Sequence, residues 1–155
     1  MLTMPDMSMP DPFMSPEDPT AAAAIAEIGE ELAVFDDWME RYQYIIELGR
    51  KLPPFPEEWS NDAHRVPGCQ SRVWMEAVRR GGKLFYAGAS DAAIVSGLIA
   101  MLLRVYSGRS PAEIAATDPV FLKDLGLLEA LSTNRGNGIA AMARKVREVA
   151  ALQAA

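Results

Sequence analysis

Apolar positions along this chain change their period twice, and each change marks a boundary between kinds of structure. In "TAAAAIAEIGEELAVF" (20–35) Ala and Glu dominate, and Thr20 stands where an N-cap would, so the stretch predicts a helix. "DDWMERYQYIIELG" (36–49) follows with Trp38, Tyr42, Ile45 and Ile46 at helical spacing; Asp36 or Asp37 can cap this second helix and Gly49 can end it. Three prolines between Leu52 and Glu57 then forbid a helix or a central strand in "KLPPFPEEW".

From Ser71 the period becomes two. Val73, Met75 and Ala77 alternate with Arg72, Trp74, Glu76 and Val78, and Gly81-Gly82 precedes a second β-rich run, Lys83 to Ala87. This pattern predicts a β-hairpin closed by a Gly-Gly turn. "SDAAIVSGLIAMLLRVYSG" (90–108) returns to helix, with Ser90 or Asp91 as cap and Gly108 at the end. Apolar residues cover most of its circumference, which predicts a central buried helix. "SPAE" (110–113) is a capping box with proline at the first helical position, and "DPVFLKDLG" (118–126) repeats the device with Asp118, Pro119 and a terminal Gly126. A last helix begins near "NRGNG" and carries Ile139, Met142, Val146 and Val149 on one stripe. Helices, hairpin, helices, in that order, predict an α+β domain: a small antiparallel, hairpin-based β-sheet packed against several α-helices.

Composition narrows the choice of function. The chain has 155 residues, half of them hydrophobic, which suits one globular domain. A net charge of −6 makes nucleic acid a poor default partner, because phosphates are held by clustered Lys and Arg. The most apolar run, Ala92 to Tyr106, would span only about 22 Å as a helix, short of a bilayer core; no membrane partner is expected. Residues 1–19 hold five of the eleven prolines, interspersed with Met, Asp and Ser. They read as a disordered tail ahead of a domain spanning 20–155. The tail has neither a basic n-region nor an apolar core, so no secretory leader is expected. A lone cysteine cannot form an internal disulfide, which fits a reducing, cytoplasmic setting.

That cysteine concentrates the chemistry. "HRVPGCQSRVW" (64–74) holds the chain's one thiol and its one histidine, within six positions. Free cysteines mostly behave as small buried hydrophobes. Here Pro67-Gly68 is turn chemistry, and Gln70 and Ser71 are polar, placing Cys69 in a loop entering the first strand. Arg65 and Arg72 flank it, and cationic neighbours favour the nucleophilic thiolate. These arginines read equally well as solvated strand ends, since exposed charges couple weakly. A Cys-His hydrolase would need His64 oriented by a third group, and nothing nearby in sequence plainly does so; His64 reads more simply as a turn or packing residue. Disulfide exchange wants a resolving cysteine, and zinc or an iron–sulfur cluster wants more ligands. Attack of one thiolate on the outer sulfur of a persulfide needs none of these.

At these residues the chain resembles the SufE (CsdE-type) sulfur-acceptor proteins of iron–sulfur cluster assembly. "RYQYIIELGRKLP", "VPGCQSRVW", "SDAAIVSGLIAMLL" and "LSTNRGNGIAAM" look like that family's segments, in its order and approximate spacing, over about Ala22 to Leu152. The resemblance implies a SufE/IscU-like fold and a non-enzymatic carrier with no cofactor of its own. Cys69 would accept sulfane sulfur from a SufS-type, pyridoxal-phosphate-dependent cysteine desulfurase, stimulate that enzyme, and pass the sulfur to a SufB-containing scaffold complex. His64, Arg65, Gly68, Gln70, Ser71 and Arg72 would shape the loop around the thiol. Asp91 and Arg135 match the other motifs, although Asp91 is equally explained as a helix cap and Arg135 as a residue bonding loop carbonyls. The alternative is a docking-only regulator of a desulfurase in which Cys69 is incidental. The Pro- and Met-rich tail is longer than such proteins usually carry.

Overall fold

The computed structural model describes residues 11–67, 71–127 and 133–154. Helix α1 (Ala21–Ala33) starts where Thr20 Oγ1 accepts the amide hydrogen of Ala23, and it buries Ala21, Ala24, Ile28 and Leu32 along one stripe. Helix α2 (Trp38–Arg50) is capped by Asp37, whose carboxylate accepts from the Glu40 amide at 2.8 Å. It does not stop at Gly49 as expected. A Cβ there would lie 2.6 Å from the Gly97 amide nitrogen, and one on Gly97 would lie 1.9 Å from the Ile45 carbonyl oxygen. The glycine is needed for the close crossing of α2 and α3, not for a helix end.

The proline-rich segment stays irregular apart from two single 3₁₀ turns, Glu57–Trp59 and Asp62–His64. Strands β1 (Val73–Arg80) and β2 (Lys83–Ser90) form a two-stranded antiparallel sheet, paired from Val73 with Ser90 to Arg80 with Lys83. Gly81 and Gly82 take φ of 57° and 78°, the left-handed pair that a two-residue hairpin turn requires. Strand β2 runs three residues beyond the expected Ala87. Its last part, Ala87-Gly88-Ala89-Ser90, carries no β-branched residue and gave no strand signal. Helix α3 lies directly over it: a Cβ on Gly88 would meet Ile99 Cγ2 at 2.9 Å.

Helix α3 (Ala93–Tyr106) is the predicted central helix, with eleven of its fourteen residues buried, and it packs on α2, β2, α1 and α6. It has no side-chain cap: the N-cap position is Ala92, and neither Ser90 nor Asp91 fills it. Helix α4 (Pro111–Ala116) begins at Ser110, which accepts from the Glu113 amide as the capping box requires. The glutamate arm of the box goes elsewhere. Its carboxylate accepts from the Ala21 amide at 2.7 Å and so helps cap α1. Asp118 accepts from the Val120 amide ahead of the short α5 (Phe121–Asp124), and Gly126 follows at φ 75°. Helix α6 (Thr133–Ala154) buries Ile139, Met142 and Val146, with Val149 half-buried.

The second half of the expected tail is ordered against the domain, while residues 1–10 lie outside the described residues. The Met14 amide donates to the Tyr86 carbonyl, and Ser107 Oγ donates to the Met14 carbonyl. Arg109, 3% exposed, donates to the carbonyls of Asp18, Arg104 and Val105. Arg104 holds Asp18 at 2.9 Å and Glu31 at 2.5 Å, and Arg80 binds Asp11. Composition marked this strap as disordered because its own apolar surface is small; what orders it is a set of polar groups far along the chain, from Arg80 to Arg109.

Candidate functional site

The site is built from two pinned ends. On the first, Val66 is buried and its amide donates to the Val73 carbonyl at 2.8 Å, while Arg65 bridges Trp74 in antiparallel fashion. The chain therefore leaves the sheet at Val66 and re-enters it at Val73. On the second, the Arg72 amide donates to Asp91 Oδ1 at 3.1 Å, and the Arg72 carbonyl accepts from Ser90 Oγ at 2.7 Å and from the Asp91 amide. The residues expected to cap α3 instead clamp the strand next to the thiol segment. Gly68, Cys69 and Gln70 lie outside the described residues. Arg135 falls in the first turn of α6, and its side chain lies outside the described part.

His64 is more firmly held than its sequence neighbourhood implies. Its Nδ1 is 2.9 Å from Asn61 Oδ1, and its Nε2 is 2.9 Å from Glu76 Oε2. The imidazole stacks on Trp59, with centroids 5.7 Å apart and planes 17° off parallel, and Trp59 in turn touches Phe13 and Phe55. The second Glu76 oxygen accepts from the Ala77 amide. The expectation that nothing positions His64 is thus corrected: Asn61 and Glu76 orient it from both sides. Both ring nitrogens face side-chain oxygens, so the ring is committed to Asn61 and Glu76. Sequence spacing alone did not pair His64 with a residue twelve positions on. The available signal was a half-buried glutamate on the strand face opposite Val73 and Met75.

Arg65 and Arg72 are solvent-exposed, and Ser71 is half-buried. Asp91 stands against the Arg72 backbone, so the flanks of the thiol segment carry both signs of charge rather than the purely cationic pair that the sequence emphasised. Among the described residues, no group of three or more His, Cys, Asp and Glu side chains could hold a metal ion. Among them, too, no helix is long and apolar enough to cross a membrane.

This arrangement, a two-stranded antiparallel sheet under a buried helix, has known counterparts. The SufE family model, described as an Fe–S metabolism associated domain, matches residues 26–150. An uncharacterized SufE-like protein of Rhizobium etli is 41% identical over 139 residues, covering 86% of this chain and 93% of that protein. A second, from Rhizobium meliloti, is 37% identical over 132 residues, covering 82% and 94%. The solution structure of a hypothetical protein from Thermus thermophilus superposes with a TM-score of 0.69 at 23% identity, covering 83% of this chain and 93% of that one, and it shares the fold. The chain belongs to the SufE family. That membership ties it to iron–sulfur metabolism.

Proposed function

We propose that this protein is a cytoplasmic persulfide carrier. Cys69 accepts sulfane sulfur from a SufS-type, pyridoxal-phosphate-dependent cysteine desulfurase, which the carrier stimulates, and hands it to a SufB-containing scaffold. The observation that carries the reading is the pair of pinned ends: the chain's one thiol lies on a short segment anchored by Val66–Val73 on one side and by Asp91 and Ser90 on the other. Such a segment presents a single nucleophile without demanding a base or a metal.

In the transfer step the Cys69 thiolate attacks the outer sulfur of the desulfurase persulfide. A new sulfur–sulfur bond forms at Cys69 while the donor's sulfur–sulfur bond breaks. The electron pair of the broken bond leaves on the desulfurase cysteine as a thiolate, so charge balances and no oxidant or reductant is consumed. Removal of the product persulfide frees the desulfurase for its next turnover, and this accounts for stimulation. Handing on to the scaffold repeats the exchange with Cys69 as the leaving thiolate.

The test is intact-protein mass spectrometry after mixing the full-length protein with a SufS-type desulfurase and cysteine, without reductant. The expected result is a gain of one sulfur atom, removed by reductant and absent from Cys69→Ser. Stimulation of the desulfurase by Cys69→Ser, with no sulfur gained by the wild type, would leave a docking regulator instead.

A further inference from the structure

The corner between α1 and α2 leaves apolar surface exposed. Val34, Trp38 and Met39 are 75%, 38% and 78% exposed, and all fall within six residues. Along α2, Met39, Gln43 and Glu47 share one face, with Glu40 and Tyr44 beside them. Together with Phe35 these side chains line an open groove of about 560 Å³. The rings of Phe35 and Tyr44 sit 5.1 Å apart, and the Tyr44 hydroxyl donates to Glu31, so the aromatic lining is already fixed.

The charge around this groove is mainly negative. Between Ala21 and Lys51 the chain has seven carboxylates, from Glu27 to Glu47, and three cations, Arg41, Arg50 and Lys51. The Arg41 guanidinium lies over Trp38 and donates to the Phe35 carbonyl. Among the described residues only Glu31 and Glu47 of these acids pair with a cation, Arg104 and Arg50 respectively. Glu40 stands on the groove with none. Gly49 meets α3 at Gly97, and the groove runs from Glu47, beside that crossing, back to Met39, about 12 Å along α2.

We propose that this groove docks a cationic amphipathic helix of a partner protein. Its apolar side chains would cover Phe35, Met39 and Tyr44, and its Lys and Arg residues would face Glu40 and Glu47. The groove runs along a helix and offers no open strand edge, which favours a helical occupant. A second copy of this acidic chain, or an anionic membrane, would bring like charge against the rim. Docking here does not depend on the chemistry of Cys69.

The test is an amide-shift titration of the ¹⁵N-labelled full-length protein with a designed helix whose Leu/Phe stripe is framed by Lys. A peptide with the same stripe framed by Glu serves as control. Shifts confined to residues 34–47 are expected, with binding weakened at least about tenfold by Met39→Asp and, separately, by Glu40→Lys/Glu47→Lys. Glu57→Lys/Glu58→Lys, an exposed acidic pair elsewhere, should leave binding unchanged. Shifts spread over the whole acidic surface, equal binding of the Glu-framed peptide, or an unaffected Met39→Asp would overturn the proposal.

Discussion

Gly97→Ala sets two effects of opposite sign against each other in one helix. Replacing a mid-helix glycine by alanine removes backbone freedom from the unfolded chain and should stabilise by about 1 kcal/mol. Against this, the new methyl would sit 1.9 Å from the Ile45 carbonyl oxygen and 2.6 Å from both the Ile45 carbonyl carbon and its Cγ2. Two of those three atoms are backbone, so no rotamer change relieves the clash, and α2 and α3 must separate by roughly an ångström, the shortfall from an ordinary carbon–oxygen contact. Overpacking of that kind costs about 1–3 kcal/mol, and here the upper end applies because a backbone shift is unavoidable. The steric term wins, with a net loss of roughly 2 kcal/mol, or about 4–8 °C in Tm for a domain of this size. Gly29→Ala is the internal control. Its methyl would meet only Leu125 Cδ2 at 3.3 Å, a flexible side-chain end, so the propensity gain should survive and the change should be neutral to stabilising. Urea and thermal unfolding of the two variants measure the contrast directly. A stabilised Gly97→Ala, or two variants shifting in the same direction by similar amounts, would refute the close crossing of α2 and α3.

Three further outcomes follow from other parts of the structure. A double-mutant cycle on His64→Ala and Glu76→Ala should show a coupling of about 1 kcal/mol by urea unfolding, and His64→Ala should slow sulfur acceptance without abolishing it; additive effects, or complete loss of acceptance in a folded variant, would contradict a positioning role. Asp18→Asn should cost about 2 kcal/mol by thermal unfolding, because Arg104 and Asp18 have side chains only 11% and 9% exposed and Glu31 would remain as the main partner of the guanidinium; burial opposes the Arg104 charge, and its hydrogen bonds to Asp18 and Glu31 outweigh that and raise its pKa. Burial, reinforced for Tyr44 by its bond to Glu31, pushes Tyr44 up to about 12, and burial pushes Tyr106 to about 12 as well. A raised tyrosine pKa favours the protonated folded state, so this stability is intact below pH about 10 and is lost as pH climbs toward 12; the urea midpoint should fall over that window, less steeply in Tyr44→Phe.

Local signals were legible wherever the partner was close in sequence. Thr20, Asp37 and Ser110 cap as their spacing indicates, and Gly81-Gly82 closes the hairpin, because each needs only neighbours within three residues. The misreadings share one cause: a residue suited to a local role was taken by a distant partner. Gly49 has the chemistry of a helix stop but is held inside α2 by Gly97. Asp91 and Ser90 look like caps for α3 but serve Arg72, and the carboxylate of Glu113 caps α1 instead of closing its own box. His64 finds Glu76 across a turn that the sequence does not draw. The strap at 11–19 is the largest case, since its order comes from Tyr86, Arg104, Ser107 and Arg109.

The same long-range contacts bound what the thiol can do. Val66 and Val73 are joined by a backbone hydrogen bond, and Arg72 is tied to Ser90 and Asp91, so the segment between them starts and ends at fixed points. Covalent geometry then limits its reach. Cys69 is three residues from Val66 and three from Arg72, so at about 3.3–3.6 Å per residue its Cα can stand no more than roughly 10 Å from either anchor. On the proposed carrier reading, a partner's sulfur must come within that distance, plus the length of one side chain, of the β1 end of the sheet. Loosening the anchors with Asp91→Ala would lengthen the reach but dilute the thiol over a larger volume, a cost that grows only slowly with loop length. The anchors therefore govern orientation more than encounter frequency: their loss should disturb transfer between well-aligned sulfurs more than reaction with a small thiol-directed reagent.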